Sequence, residues 1–98
     1  MVHTTVEHTR ENFGSRSGAL HTIDITGLDG ANYEGYDPDA EVGADIEPRV
    51  DVVGLENPGT YVVQWDHINE RLHVEQYGGT DPTTGTAVGE VQLRITWG

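Results

Sequence analysis

Apolar residues in this chain recur at every second position, which is the spacing of β-strands and not of helices. The clearest example is "GEVQLRITWG", in which one face carries four apolar residues: Val91, Leu93, Ile95 and Trp97. Such a strand has one buried face in an antiparallel sheet. Because no stretch shows a helical period, the pattern predicts an all-β protein.

A hairpin is predicted in "YVVQWDHINERLHVEQY". Strands over 61–66 and 71–77 are expected to pair around a polar turn built on Asp66 and Asn69. Val62 adds an apolar residue to the second face of the first strand, which predicts that this strand is central and covered on both sides. The side chains expected to point inward are Tyr61, Val63, Trp65, Leu72 and Val74.

Two more strands are predicted upstream, in "ALHTIDITGL" around Ile23 and Ile25 and in "RVDVVGL" around Val50 and Val52. Between them, residues 28–47 form a long acidic loop, with a short strand or turn expected inside it. A second Gly-rich loop precedes the last strand. Five or six short strands separated by such turns predict a small antiparallel β-sandwich or a barrel-like domain.

The first residues differ from this pattern. "VHTTVEHT" alternates only weakly, and "RENFGSRSG" after it is polar and rich in Gly and Ser. We therefore predict a flexible N-terminal arm over residues 1–17, ordered only when something binds it, and a single domain over residues 18–98. The chain has no Cys, so burial of apolar surface must stabilise that domain.

The charge balance indicates the environment of the protein and excludes one class of partner. Seventeen acidic residues oppose five basic ones, all of them Arg, giving a formal charge of −12. This is the composition of an ordinary acidic protein or of a protein from concentrated salt, where the Debye length falls to about 3 Å and carboxylates barely repel one another; we favour the second interpretation. Nucleic acid is excluded as a partner because five scattered Arg build no basic face. Apolar runs of two or three residues exclude a signal peptide and a membrane span.

Candidate metal ligands begin with the carboxylates of "DPDAEVGAD". Their alternation favours either a loose site for a hard cation such as Ca²⁺ or a solvated acidic loop, and we prefer the loop. An EF-hand is excluded, because Val42 and Pro48 occupy the positions that require Gly and Glu. The four candidate carboxylates are Asp37, Asp39, Glu41 and Asp45.

Histidine and serine supply no catalytic constellation. The five His lack the spacing of a zinc site, and we interpret them as exposed polar residues. Ser15 and Ser17 are not in a nucleophile elbow. We therefore predict a non-enzymatic protein with no catalytic, cofactor-binding or metal-binding residues. The five His are His3, His8, His21, His67 and His73.

The aromatic residues divide into two groups. Trp65 and Trp97 share the register of the inward apolar residues, which predicts that both lie in the core. Tyr33 and Tyr36 lie in the acidic loop, where they either form a contact surface or fold back to cap an open end of the sandwich. Tyr77 is expected to point outward.

A resemblance enters in the second half of the chain. The succession "YVVQWD", "HINE", "RLHV", "GGTDPTTGTAVGE" and "VQLRITWG", preceded by "HTIDITGLDGANYEGYD", resembles small β-rich head proteins of tailed viruses. It covers residues 21–98. The chain differs from that family in lacking a basic residue after the final Gly and in the acidity of residues 37–47.

This resemblance implies a structural virion protein, either a capsid decoration or a surface-projection subunit. Its expected partners are the major capsid protein and copies of itself in a symmetric homo-oligomer, such as a trimer or pentamer. With the acidic composition, we expect a virus of halophilic archaea, with the protein made in the host cytoplasm and placed on the capsid surface. The alternative is a β-sandwich module of a halophilic cell that binds a glycan or a protein.

Overall fold

The fold is described from a computed structural model, which covers residues 2–14, 16–28, 32–33, 36–43, 48–79, 82 and 85–97. Within these ranges the chain forms seven strands and one short helix. In chain order they are β1 (Val2–Phe13), β2 (Arg16–Gly27), β3 (Asn32–Tyr33), α1 (Pro38–Val42), β4 (Arg49–Leu55), β5 (Tyr61–Asp66), β6 (Arg71–Gln76) and β7 (Gly89–Trp97).

The strands form two antiparallel sheets that share one core. The larger sheet has the order β1-β2-β7-β4 and the smaller one the order β3-β6-β5. Buried apolar side chains from both sheets make a single cluster between them. The all-β prediction is confirmed, and because the sheets do not close into a barrel, the arrangement is that of a two-layered sandwich.

Strand β7 has the one-sided burial that its sequence predicts. Val91, Leu93 and Ile95 are 0% exposed and Trp97 is 6% exposed, whereas the residues between them are less buried. Burial of each such aliphatic side chain contributes about 1.5–3 kcal/mol relative to exposure. Since β7 pairs with β2 on one side and β4 on the other, it forms the centre of the larger sheet.

The predicted hairpin is also confirmed, with β5 paired to β6 along its whole length. Its turn depends on Asp66, whose carboxylate accepts the backbone N–H of Ile68 at 3.2 Å and of Asn69 at 3.2 Å, and the side-chain amide of Asn69 at 2.8 Å. These bonds, the Asn69 side chain first among them, lower the pKa of Asp66. The central position predicted for β5 is wrong: it is an edge strand, and Val62 is 38% exposed.

The N-terminal segment differs most from its prediction. In place of a flexible arm over residues 1–17, β1 pairs with β2 from Val2 to Phe13. Backbone hydrogen bonds between strands need no apolar side chains, and for this reason an exposed, polar segment can complete a sheet edge. Gly14, with φ of +69°, lies in the tight turn that joins the two strands, a conformation that glycine adopts without strain.

One turn of helix interrupts the acidic loop. In α1, the backbone N–H of Glu41 donates to the carbonyl of Asp37 at 2.9 Å, and Pro38 occupies the first helical position, where no N–H is required. Five residues are too few to show a helical period in the sequence. The helix carries Glu41 towards β1, and Val42 is buried.

Candidate functional site

A buried histidine lies on β2, an inner strand of the larger sheet. His21 on β2 has the same register as Ile23 and Ile25 and is 1% exposed, so the prediction of an exposed polar residue is wrong. Its Nδ1 is 2.6 Å from the hydroxyl of Tyr36, and its Nε2 is 3.3 Å from the hydroxyl of Thr5. Either neutral tautomer of the imidazole satisfies both contacts, because each hydroxyl can donate or accept.

The surroundings of His21 disfavour its charged form. Burial lowers the pKa of His21, Glu41 opposes that shift, and His8 and His3 add to it. The rings of His8 and His21 are 5.5 Å apart. His3 donates from Nε2 to the Glu41 carboxylate at 2.5 Å, which joins the start of β1 to α1.

Tyr36 connects this histidine cluster to the smaller sheet. It is 1% exposed, and burial, reinforced by Glu41, raises the pKa of its phenol, so Tyr36 stays neutral in the folded chain. Its ring meets Trp65 edge-on, with centroids 6.4 Å apart and an interplanar angle of 82°. Of the two predictions for this residue, the structure supports the cap that folds back on the sandwich.

Trp65 is packed against the core but only partly buried, and three surface cavities meet at it. The first has a volume of about 340 Å³ and is lined by Tyr36, Asp37, Pro38, Pro48, Trp65, His67 and Glu70. Arg71 lines the second cavity, and Arg49 lines the third. The indole Nε1 is buried and finds no hydrogen-bond acceptor in the described part of the chain.

The predicted cation ligands do not converge in the structure. Asp37 is exposed at the first cavity, whereas Glu41 turns inward to His3. The side chain of Asp39 and the whole of Asp45 lie outside the described residues. Among the residues that the structure describes, no three His, Asp or Glu are arranged to hold a metal ion.

The remaining predicted positions are scattered over the surface. His67 is exposed in the β5–β6 turn, and His73 contacts Glu75 at 3.0 Å. Tyr77 points outward, as predicted, and is 74% exposed. Ser15 and the side chain of Tyr33 lie outside the described residues.

Trp97 has the core position predicted for it, and β1 covers it. The guanidinium of Arg10 lies over its ring, 5.5 Å from the centroid. Arg94 on β7 donates from Nε to the carboxylate of Glu11 on β1 at 3.2 Å. The arginines of this end therefore hold the edge strand to the sheet.

The site combines a buried polar pair with an accessible aromatic rim. The imidazole of His21 and the phenol of Tyr36 are both buried and contact one another, and the hydroxyl of Thr5 lies on the other side of the imidazole. The accessible part is the rim around Trp65, where an aromatic ring and carboxylates face solvent.

No helix in the described part of the chain is long and apolar enough to cross a membrane. No known protein family, curated protein or solved structure matches the chain.

Proposed function

We propose that this chain is a non-enzymatic structural subunit that works by contact with other protein chains. The observation that carries this proposal is the outer edge of β1. The strand spans Val2–Phe13 and pairs on one side with β2, and none of the described strands pairs with its other side. An edge of this length is a template for a strand from a neighbouring chain.

The side chains of β1 fit such a role. From Thr4 to Arg10 they are exposed, and Val6 is 53% exposed at an irregularity in the β1–β2 register. From Glu7 to Phe13 the register is unbroken, so the backbone there stays straight enough to pair again. Edges that proteins protect are usually short or covered; β1 is twelve residues long, and no strand in the described part of the chain covers its outer edge.

The context that fits best is a virion. The resemblance of residues 21–98 to small β-rich head proteins of tailed viruses supports a capsid decoration or surface projection. The charge of −12 without Lys supports a halophilic host. The partners would be the major capsid protein and copies of the chain itself, with synthesis in the host cytoplasm and assembly onto the capsid surface.

Purified virus particles test this context. We expect stoichiometric copies of the chain in density-purified particles of a virus that encodes it, measured by quantitative mass spectrometry against the major capsid protein. Its absence from particles that contain the other head proteins would reject the virion role.

Proline substitutions test the β1 edge. Consecutive residues of a strand direct their N–H groups to opposite edges, so Thr9→Pro and Asn12→Pro remove donors from opposite edges. The variant that removes a hydrogen-bond donor from the β2 side of β1 should lose about 1 kcal/mol or more of stability, because a β1–β2 hydrogen bond is broken. The variant that removes a donor from the outer edge of β1 should fold normally and lose self-association. Sedimentation velocity in molar salt measures this loss.

The stable variant is the informative one, since it alters only the outer edge. If it sediments with the same mass as the unmodified chain, or if the unmodified chain is a monomer under these conditions, pairing between copies through β1 is rejected.

A second candidate function is a binding module for a glycan or protein. The observation that favours it is the convergence of three cavities on Trp65, since indole rings supply contact area in both kinds of site. Tyr36 lines the first cavity but is only 1% exposed, and its edge-on contact supports the Trp65 ring.

A further inference from the structure

We propose that the first Trp65 cavity binds an arginine side chain presented by a basic partner protein. This inference names a partner chemistry for the contact role proposed above and rests on it. The cavity volume of about 340 Å³ is near the lower limit for small-molecule sites, which is about 300 Å³. A cavity of this size suits one long side chain better than an extended ligand.

The charge of the cavity selects a cation. Among the described residues that line it, Asp37 and Glu70 carry carboxylates and both are exposed, while Arg71 and Arg49 line the neighbouring cavities instead. Glu70 takes part in no ion pair among the described residues. A guanidinium entering here would therefore meet the carboxylate of Glu70.

Trp65 supplies the second half of the recognition. An indole is the strongest aromatic acceptor for a cation, and the planar guanidinium stacks on it while still donating to carboxylates in its own plane. The T-shaped contact with Tyr36 fixes the Trp65 ring, so the ring loses little conformational entropy when a ligand binds. Buried Pro38 and half-buried Pro48 give the cavity apolar walls for the arginine stem.

An exposed apolar residue, Ile68, lies next to the cavity in the β5–β6 turn. Ile68 is 92% exposed in the β5–β6 turn, between His67 and the cavity residue Glu70. A large aliphatic residue so exposed gains contact area when a partner surface closes over it. The turn itself is held rigidly by Asp66.

Other occupants fit less well. A bare metal ion would find no set of three ligands among the described residues. A second copy offers only five Arg among its 98 residues, whereas a basic partner presents more cationic side chains to the cavity. An uncharged sugar gains nothing from the net charge of the site.

The test uses the full chain, isotope-labelled, and a blocked Gly-Arg-Gly peptide. The matched peptide contains citrulline, which has nearly the shape of arginine without its charge. The indole N–H resonances report the result, because the chain has two Trp and buried Trp97 serves as the internal reference. We expect the arginine peptide to shift the Trp65 signal, and the citrulline peptide to shift it much less, in the molar salt used for sedimentation.

Two variants separate this site from the general attraction of an acidic protein. Glu70→Gln and Glu90→Gln each remove one exposed carboxylate, but Glu90 lies on β7, away from the cavity. We expect Glu70→Gln to weaken binding of the arginine peptide about fivefold, the upper end for a surface ion pair, and Glu90→Gln to weaken it by less than about twofold. Circular dichroism confirms that both variants fold.

Three outcomes would overturn the inference: equal shifts from the arginine and citrulline peptides, equal losses in the two variants, or a Trp65 shift produced by glucose or Ca²⁺ but not by arginine. Absence of the chain from virus particles together with an intact arginine response would reject the virion context and keep the site.

Discussion

Replacing Ile95 by alanine is expected to lower the free energy of unfolding by about 2–5 kcal/mol, the range for removing a large aliphatic side chain from a packed core. Ile95 is 0% exposed on the central strand β7, and its backbone partners are Ala19 on β2 and Val50 on β4. A cavity at this point removes contacts from both sheets, and neighbouring strands cannot collapse into it without shifting their register. Urea unfolding followed by circular dichroism measures the loss.

Ile68→Ala is the matched control, because it deletes the same atoms at a position that is 92% exposed. Its effect on stability should stay within about 0.5 kcal/mol. Small domains have about 5–15 kcal/mol of stability in total, so the Ile95 variant should be visibly less stable. Similar losses in both variants would contradict the two-sheet core described here.

Acidification is expected to destabilise the folded chain between about pH 7 and pH 5 through His21. The pKa of His21 is lowered from 6.5 by burial, so the unfolded chain binds more protons than the folded chain in this range. Stability is therefore full above the unfolded pKa, falls as the pH drops through it, and stops falling on account of His21 once the pH is below the folded pKa. The slope for one proton approaches about 1.4 kcal/mol per pH unit.

The groups that face His21 modify this response. Glu41, on α1, favours the imidazolium, and His8 and His3, on β1, disfavour it further. Asp66 also has a shifted pKa, but its usual value is 3.8 and its shift is downward, so its contribution is lost at lower pH.

Unfolding free energies at pH 7.5, 6.5 and 5.5 check the assignment to His21. His21→Gln should be less stable at pH 7.5 and should lose much of the pH dependence, whereas His67→Gln, in the exposed turn, should retain it. An unchanged slope in the His21 variant would show that other groups cause the acid sensitivity.

The sequence was most informative where a strand has one face on the core. In β7 the alternation of apolar and polar residues reports burial directly, because its neighbours on both sides complete the sheet. The β5–β6 turn was predictable for a local reason: Asp66 and Asn69 bond to one another within four residues of chain. Neither prediction needed knowledge of distant contacts.

The edge strand β1 could not be predicted in the same way, since most of its side chains are exposed whether or not it pairs. The one local signal was the two-residue interval of Gly14 and Ser15 between segments of strand length, which is typical of a hairpin turn. Burial of β5 was overestimated for a related reason, because an apolar residue such as Val62 can face solvent on an edge strand.

Only part of the candidate site could be predicted from the sequence. His21 falls at every second position with Ala19, Ile23 and Ile25, and that register alone indicates burial. Its partner Tyr36 lies fifteen residues further along in an irregular segment, where no period fixes the direction of a side chain. The convergence of cavities on Trp65 depends on how the two sheets pack, which sequence spacing does not specify.

The pairing of β2 with β7 has a consequence for how the protein is made. Ser17 lies opposite Trp97 and Ile25 opposite Gly89, so the middle of the larger sheet joins early and late parts of the chain. On a translating ribosome, the hairpin of β1 and β2 emerges long before β7, its partner within the sheet, and before the β5–β6 hairpin of the smaller sheet. Pairing between segments so far apart in the sequence slows folding and leaves apolar surface exposed to solvent during that interval. The acidic, lysine-free composition helps to keep nascent chains apart during this interval, because carboxylates hold water and cations at the surface even where salt screens their repulsion.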